Sequence, residues 1–348
     1  MLQRLALICL PALALLFPLP AHATMFCVHS ADQLRDALVQ AGNNAIADEV
    51  RITQGIKQHP GYGPPWSTST TSSQDLVISG GWNSNCSFQT GGPGSTILVG
   101  QTTTLGIRVE NASPTIEVSN LSVHNGVGTL NFGAGLNVLV VGSSAPDIRI
   151  ERVIARLNQH QVAQSGAIVK VIIEGASATG HYTLRNNMFE NNQGSALDIA
   201  LPFGATAYIN NNTITANRVT GQVRPAVVLD GAGLFWVANN IFAGNLAASD
   251  LWIGSNASNF LRNNHIQVLA GSPGSNLNMT TGPAMLELDV GGYWSPGNES
   301  PVRDNGLKNA VGGIGSKDII GSSRILGLGV DRGAVERSWN ILFQSDFE

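Results

Sequence analysis

Charge is scarce in this sequence. Of 348 residues only 12% are charged, with 19 Lys and Arg set against 23 Asp and Glu for a net charge of −4. Such a balance leaves no electrostatic footprint for nucleic acid and no polybasic patch for a membrane surface. Aromatic residues are also sparse, at 6%, which argues against the large core side chains of a helical bundle. Cysteine is limited to Cys9, Cys27 and Cys86, too few for a structural zinc site without His at ligand spacing. The seven His are dispersed and no His-x-x-x-His pair exists, so no metal site is indicated. No Asp-rich calcium nonapeptide repeat occurs; calcium remains chemically possible but unindicated, and no other cofactor is implied. Beyond residue 23 no apolar run approaches the roughly 18–20 residues that a membrane span needs.

The one long apolar run, Leu5 to Phe17, follows Arg4 and precedes Ala21-His22-Ala23. This is the three-part layout of a signal peptide, expected over residues 1–23. Pro11, Pro18 and Pro20 argue against a membrane anchor. The mature chain is therefore expected to begin near Thr24 and to be exported, to the extracellular space or outer cell surface, with the periplasm as the alternative. In an oxidising compartment Cys27 and Cys86 are expected to form a disulfide that pins the N-terminal cap to the first coils of the chain.

What is abundant is glycine, 40 residues of it, together with asparagine, as many short strands with frequent corners would require. One helix is legible. Ser30 and Gln33 form a capping-box pair, and Leu34, Ala37, Leu38 and Ala41 come after them at helical spacing. A strand is expected over Glu49–Thr53. His59 to Gln74, rich in Pro, Gly, Ser and Thr, reads as an exposed loop. In the middle of the chain a motif recurs: apolar, any, Asn, Asn, any, Phe or Ile. It appears at Leu184–Phe189, Ile209–Ile214, Val237–Phe242 and Leu261–Ile266. Its second Asn (Asn187, Asn212, Asn240, Asn264) returns after 25 (212 − 187), 28 (240 − 212) and 24 (264 − 240) residues. Three units place another Asn five residues on, at Asn192, Asn217 and Asn245. Such periods mean repeat architecture, and short alternating runs broken by Asn and Gly exclude helical repeats. The expected fold is all-β, a right-handed parallel β-helix over residues 24–290 with an N-terminal capping helix and an irregular C-terminal cap over 291–348. Stacking would pile Leu, Ile and Phe into one core and align the Asn residues as a structural ladder.

These features resemble the right-handed parallel β-helix proteins of bacteria, the pectate-lyase-like superfamily in its broad sense. A narrower likeness lies near the end. Ser300-Pro301-Val302-Arg303-Asp304-Asn305-Gly306, then Asp318, then Val330-Asp331-Arg332-Gly333-Ala334-Val335-Glu336 resembles the closing segment of choice-of-anchor Q domain proteins, and Gly80-Gly81-Trp82-Asn83 with Cys86 is similar to their N-terminal part. The resemblance implies an exported or surface-attached solenoid and assigns no reaction.

Parallel β-helices also host polysaccharide lyases and hydrolases. A lyase needs a base beside a uronate carboxylate and a cation to stabilise the developing charge; a hydrolase needs two carboxylates. The catalytic candidates are Lys170, Arg185, Glu190, Asp198, Arg224 and Asp230. Alternation about Leu197 and Ile199 turns Asp198 outward, and Glu190, beside inward Phe189, is expected to face out as well. Trp236 and Trp252 are candidate sugar-stacking residues. Scattered surface charge explains the same residues, and no Asp-Asp pair followed by Gly-His marks a polygalacturonase. The expectation is a non-catalytic, monomeric surface β-helix that binds glycan or serves as an adhesin-like display module. A polysaccharide lyase or glycosidase is the alternative. Clustering of these charges in one open groove would favour the enzyme; dispersal would favour the binder or a passive module.

Overall fold

A repeat of this length holds three short strands and three corners, and the chain uses it that way. In the computed structural model, residues 23–61, 65–129, 132–160, 167–174 and 178–338 are described. The expected export leader (residue 23 apart) and Trp339 to Glu348 lie outside them. The strands stack in three faces. The first runs from Thr24–Val28 and Asp48–Thr53 through Leu76–Trp82, Thr115–His124, Asp147–Arg156, Gly180–Arg185, Ala205–Asn210, Leu234–Ala238 and Ser258–Arg262 to Ser275–Leu277. The second begins at Gly55–Gln58 and Thr96–Val99, takes the C-terminal halves of Thr115–His124 and Asp147–Arg156, and continues as Met188–Glu190, Thr213–Thr215, Ile241–Phe242 and His265–Ile266. The third comprises Trp66–Thr70, Leu105–Glu110, Leu136–Val141, Ala167–Glu174, Ser195–Leu201, Val227–Gly231, Leu251–Ile253 and Leu269–Gly271. Strands pair in parallel along all three faces. The chain is a parallel β-helix.

Alternation supplies the core. On the third face Ile107, Val138, Val171, Ile199, Leu229 and Ile253 fall in register and are all buried. Each such side chain is worth roughly 1.5–3 kcal/mol of burial. At the N-terminal end α1 (Ala31–Asn43) carries the capping box of Ser30 and Gln33, and buries Leu34, Ala37, Leu38 and Ala41. It packs on Trp66–Thr70, covering the open edge of the third face. The Ser/Thr-rich stretch expected to be loop is therefore partly strand: Trp66, Thr68 and Thr70 turn inward and are buried, while Ser67 and Ser69 face out. Threonine is β-branched and suits a pleated surface, and the covering helix completes its burial. Cys27 and Cys86 are joined by a disulfide.

The Asn-Asn corner has two parts with different duties. The first Asn of each pair, Asn186, Asn211, Asn239 and Asn263, takes φ of 56°, 54°, 59° and 50°, a left-handed conformation that Asn tolerates and β-branched residues do not. The second Asn points inward. Asn187, Asn212 and Asn240 each donate from Nδ2 to Oδ1 of the next Asn at 2.9 Å, ending at Asn264. A parallel ladder links Asn158, Asn192, Asn217 and Asn245 at the next corner.

The irregular C-terminal segment runs back along the first corner. The amides of Asn263, Asn239, Asn210 and Asn186 donate in turn to the carbonyls of Asn305, Leu307, Val311 and Ile314. The corner thus sits under a returning strap of chain.

Candidate functional site

Outward positions on the third face form columns, because residues in register on successive parallel strands stack at about 4.8 Å. One column reads Asn137, Lys170, Asp198, Val228, Trp252. The neighbouring column, two residues along each strand, contains Ala200 and Asp230. Arg224 precedes the Val227–Gly231 strand and reaches across to Asp198, with Nη2 3.4 Å from its carboxylate. Lys170, Asp198, Arg224 and Asp230 are thus gathered on consecutive coils of one face, with Trp252 on the next.

Asp198 is largely buried, its side chain 14% exposed. Burial pushes its pKa up; Arg224 and Lys170 pull it down without cancelling that effect, and Asp230 adds to the rise. Beside the pair a groove of about 440 Å³ is bordered by Val223, Arg224, Val228, Asp230 and Trp252. Trp252 is half-buried, and among the described residues no ring stacks on it.

The remaining candidates lie elsewhere. Arg185 is on the first face and pairs with Glu151 at 2.8 Å. Glu190 does not face solvent as alternation led one to expect; it is fully buried and ion-paired with Arg156. Alternation turned it away from Phe189, but that side of the second face is covered: Arg156 bridges from Glu190 to the Gly292 carbonyl of the C-terminal segment. Trp236 is on the first face and stacks on Phe260, with centroids 4.3 Å apart and planes 16° apart. One ring face is spent on a neighbouring coil.

The C-terminal residues that carry the choice-of-anchor likeness make a buried polar lock. Asp331 accepts from the backbone N–H groups of Asp304 and Arg337, Asp318 from those of Ser322 and Glu336, and Glu336 from that of Asp331. Arg324, 1% exposed, lies 3.6 Å from Glu336 and donates to the carbonyls of Asp331 and Gly333. Burial dominates: it pushes Glu336 up to about 8, against the pull of Arg324. Sequence reasoning found the motif but not Arg324, whose long side chain lies outside it. Among the described residues, no group of three or more His, Cys, Asp or Glu is placed to hold a metal ion.

No family model matches the chain, and no curated protein matches it. Among solved structures it is similar to the PL6 family alginate lyase AlyGC, at 10% identity and a TM-score of 0.25, covering 90% of this chain and 60% of that one. An arginine mutant of the same lyase matches at 10% identity and a TM-score of 0.21, covering 79% of this chain and 56% of that one. The chain thus spans less than two thirds of the length of the structures it matches. Likeness this distant assigns no chemistry.

Proposed function

We propose that the third face is a polysaccharide-binding surface of an exported β-helix, and that recognition rather than turnover is its activity. The observation that carries this reading is the gathering of Lys170, Asp198, Arg224 and Asp230 beside Trp252 on consecutive coils. Arg224 and Lys170 offer charge-assisted hydrogen bonds to a uronate carboxylate. Asp198 and Asp230 accept from sugar hydroxyls, and Trp252 offers an apolar ring to a sugar face. A disulfide, and the lack among the described residues of any helix long and apolar enough to cross a membrane, are compatible with export.

The same clustering also meets the condition set for an enzyme, so β-elimination on this face is the second reading. The raised pKa of Asp198 favours it as the base that takes the proton beside the carboxylate. Against it stands the ion pair at 3.4 Å: as a base Asp198 must give up Arg224 to take the proton. In recognition the pair persists, and Arg224 keeps its other N–H groups, and Asp198 its second oxygen, for a ligand. Affinity electrophoresis on acidic and neutral polysaccharides, run alongside absorbance of unsaturated products, separates the two. Retention without product, lost in Arg224→Ala, supports recognition. Product that disappears in Asp198→Asn makes the protein a lyase, and absence of both retention and product removes the glycan reading.

The choice-of-anchor Q likeness adds an attachment reading: the exported solenoid is held at the cell surface. Fractionating cells that express the full chain, or one truncated after Ser338, tests whether Trp339–Glu348 contributes to that attachment.

A further inference from the structure

A second cavity opens at the N-terminal end of the third face, about 460 Å³ in volume. Its walls are unusual for a sugar site, with Val127, Phe132 and Leu139 supplying apolar surface beside Thr103, Gly106 and Asn137. Gly106 stands in the column that continues into Asn137, Lys170 and Asp198. Lacking a side chain, it leaves its place in the column unfilled. Asn137 is 4% exposed; its Oδ1 accepts from the Gly133 N–H at 3.1 Å. Its Nδ2 has no protein hydrogen-bond partner among the described residues and is accessible from the cavity that Asn137 lines.

An apolar pocket with one unused amide donor fits a small group that presents a methyl beside a carbonyl oxygen. We propose that this cavity is a specificity subsite for an acyl substituent, an O-acetyl group, on the acidic polysaccharide bound by Lys170 and Arg224; the inference rests on the proposed glycan-binding role of the third face. The acetyl methyl lies against Val127, Phe132 and Leu139, and its carbonyl oxygen accepts from Asn137 Nδ2. Register places Asn137 one coil from Lys170 and two from Asp198, so the carboxylate-binding groups and the acyl pocket lie along one line of the face. A strand laid parallel to the solenoid axis meets both.

The test is calorimetric titration of the mature protein with oligosaccharides of one polyuronate backbone, acetylated or stripped of acetyl groups by mild alkali. Acetylated chains are expected to bind about tenfold tighter, the equivalent of one hydrogen bond and a buried methyl. Asn137→Ala should abolish that preference and leave the deacetylated affinity unchanged. Gly106→Val, which fills the cavity, should do the same; if it fails to fold, Asn137→Ala decides alone. Equal affinity for both forms, with binding still lost in Arg224→Ala, overturns the acyl subsite and leaves the binding face standing. No binding of either form overturns the face and the subsite together.

Discussion

Replacing Asn212 by alanine removes four hydrogen bonds at once. Its Oδ1 accepts from the backbone N–H of Asn187 at 3.1 Å and from Asn187 Nδ2 at 2.9 Å, and its Nδ2 donates to Leu184 O and Asn240 Oδ1, both at 2.9 Å. At about 1 kcal/mol net for each bond the loss is about 4 kcal/mol. Within it, the buried Asn187 N–H is left without a partner and alone costs about 1–3 kcal/mol. Asn212 is 1% exposed, so water is poorly placed to replace what is lost. Equilibrium urea unfolding should show a midpoint lower by about 1 M, given a slope near 3 kcal/mol per molar. Asn256→Ala, at an exposed turn, is the control and should stay within about 0.5 kcal/mol. Asn212→Asp retains the two accepting bonds but turns a carboxylate toward Leu184 O and Asn240 Oδ1, and should fare no better than alanine. If Asn212→Ala unfolds with the Asn256→Ala control, the ladder contributes nothing and apolar stacking alone holds the coils.

Other outcomes rest on the same structure. Glu336 holds its proton in the folded state up to about pH 8, against an ordinary 4.5. Its contribution is therefore complete below pH 4.5 and is lost as pH rises toward 8; Glu336→Gln should flatten the fall in melting temperature across that window, and an unchanged slope would refute the assignment. Cys27 and Cys86 are 59 residues apart, so the Cys27→Ser, Cys86→Ser double variant should lose about 4 kcal/mol by loop entropy, read as an earlier thermal unfolding transition. Asn239→Ala removes bonds to Leu307 O and from Leu307 N; hydrogen exchange should accelerate at Leu307 while Leu229 and Ile253, in the core, stay protected. Trp252→Ala should weaken glycan retention several-fold without altering the melting temperature.

The solenoid was legible because its signal is local and repeated. A period read at four Asn-Asn corners places strands, corners and an inward ladder without any knowledge of distant contacts. The capping helix was legible for the same reason, as Ser30 and Gln33 state its start within four residues. What escaped depended on chain returning from far away. Glu190 obeys alternation and still ends up buried, because Gly292, about a hundred residues on, closes over its partner Arg156. The first Asn of each pair was given no duty of its own by the repeat, yet it sets the left-handed corner, and in three of the four units (Asn186, Asn239 and Asn263) it also holds the returning strap. Trp66–Thr70 was masked by composition: a Ser/Thr-rich run reads as loop until a helix is known to cover it.

That covering also narrows where a ligand can sit. The first corner is occupied by residues 305–317, bonded to Asn186, Asn210, Asn239 and Asn263. On the second face, Arg156 and Glu190 are engaged with each other beneath the segment around Gly292. Outward aromatics of the first face stack on one another, as Trp236 does on Phe260, and its Arg185 pairs with Glu151. The third face differs. Among the described residues, Lys170, Asp230 and Trp252 line it without a hydrogen bond or ion pair of their own, and grooves flank them at both ends. Lys170 and Asp230 act on Asp198 only through their charge, and Trp252 stacks on no ring among the described residues, so these side chains add little to holding the coils together, which the inward columns and the two Asn ladders already do. A ligand with carboxylates and hydroxyls at intervals along an extended chain would supply these side chains with partners, coil by coil.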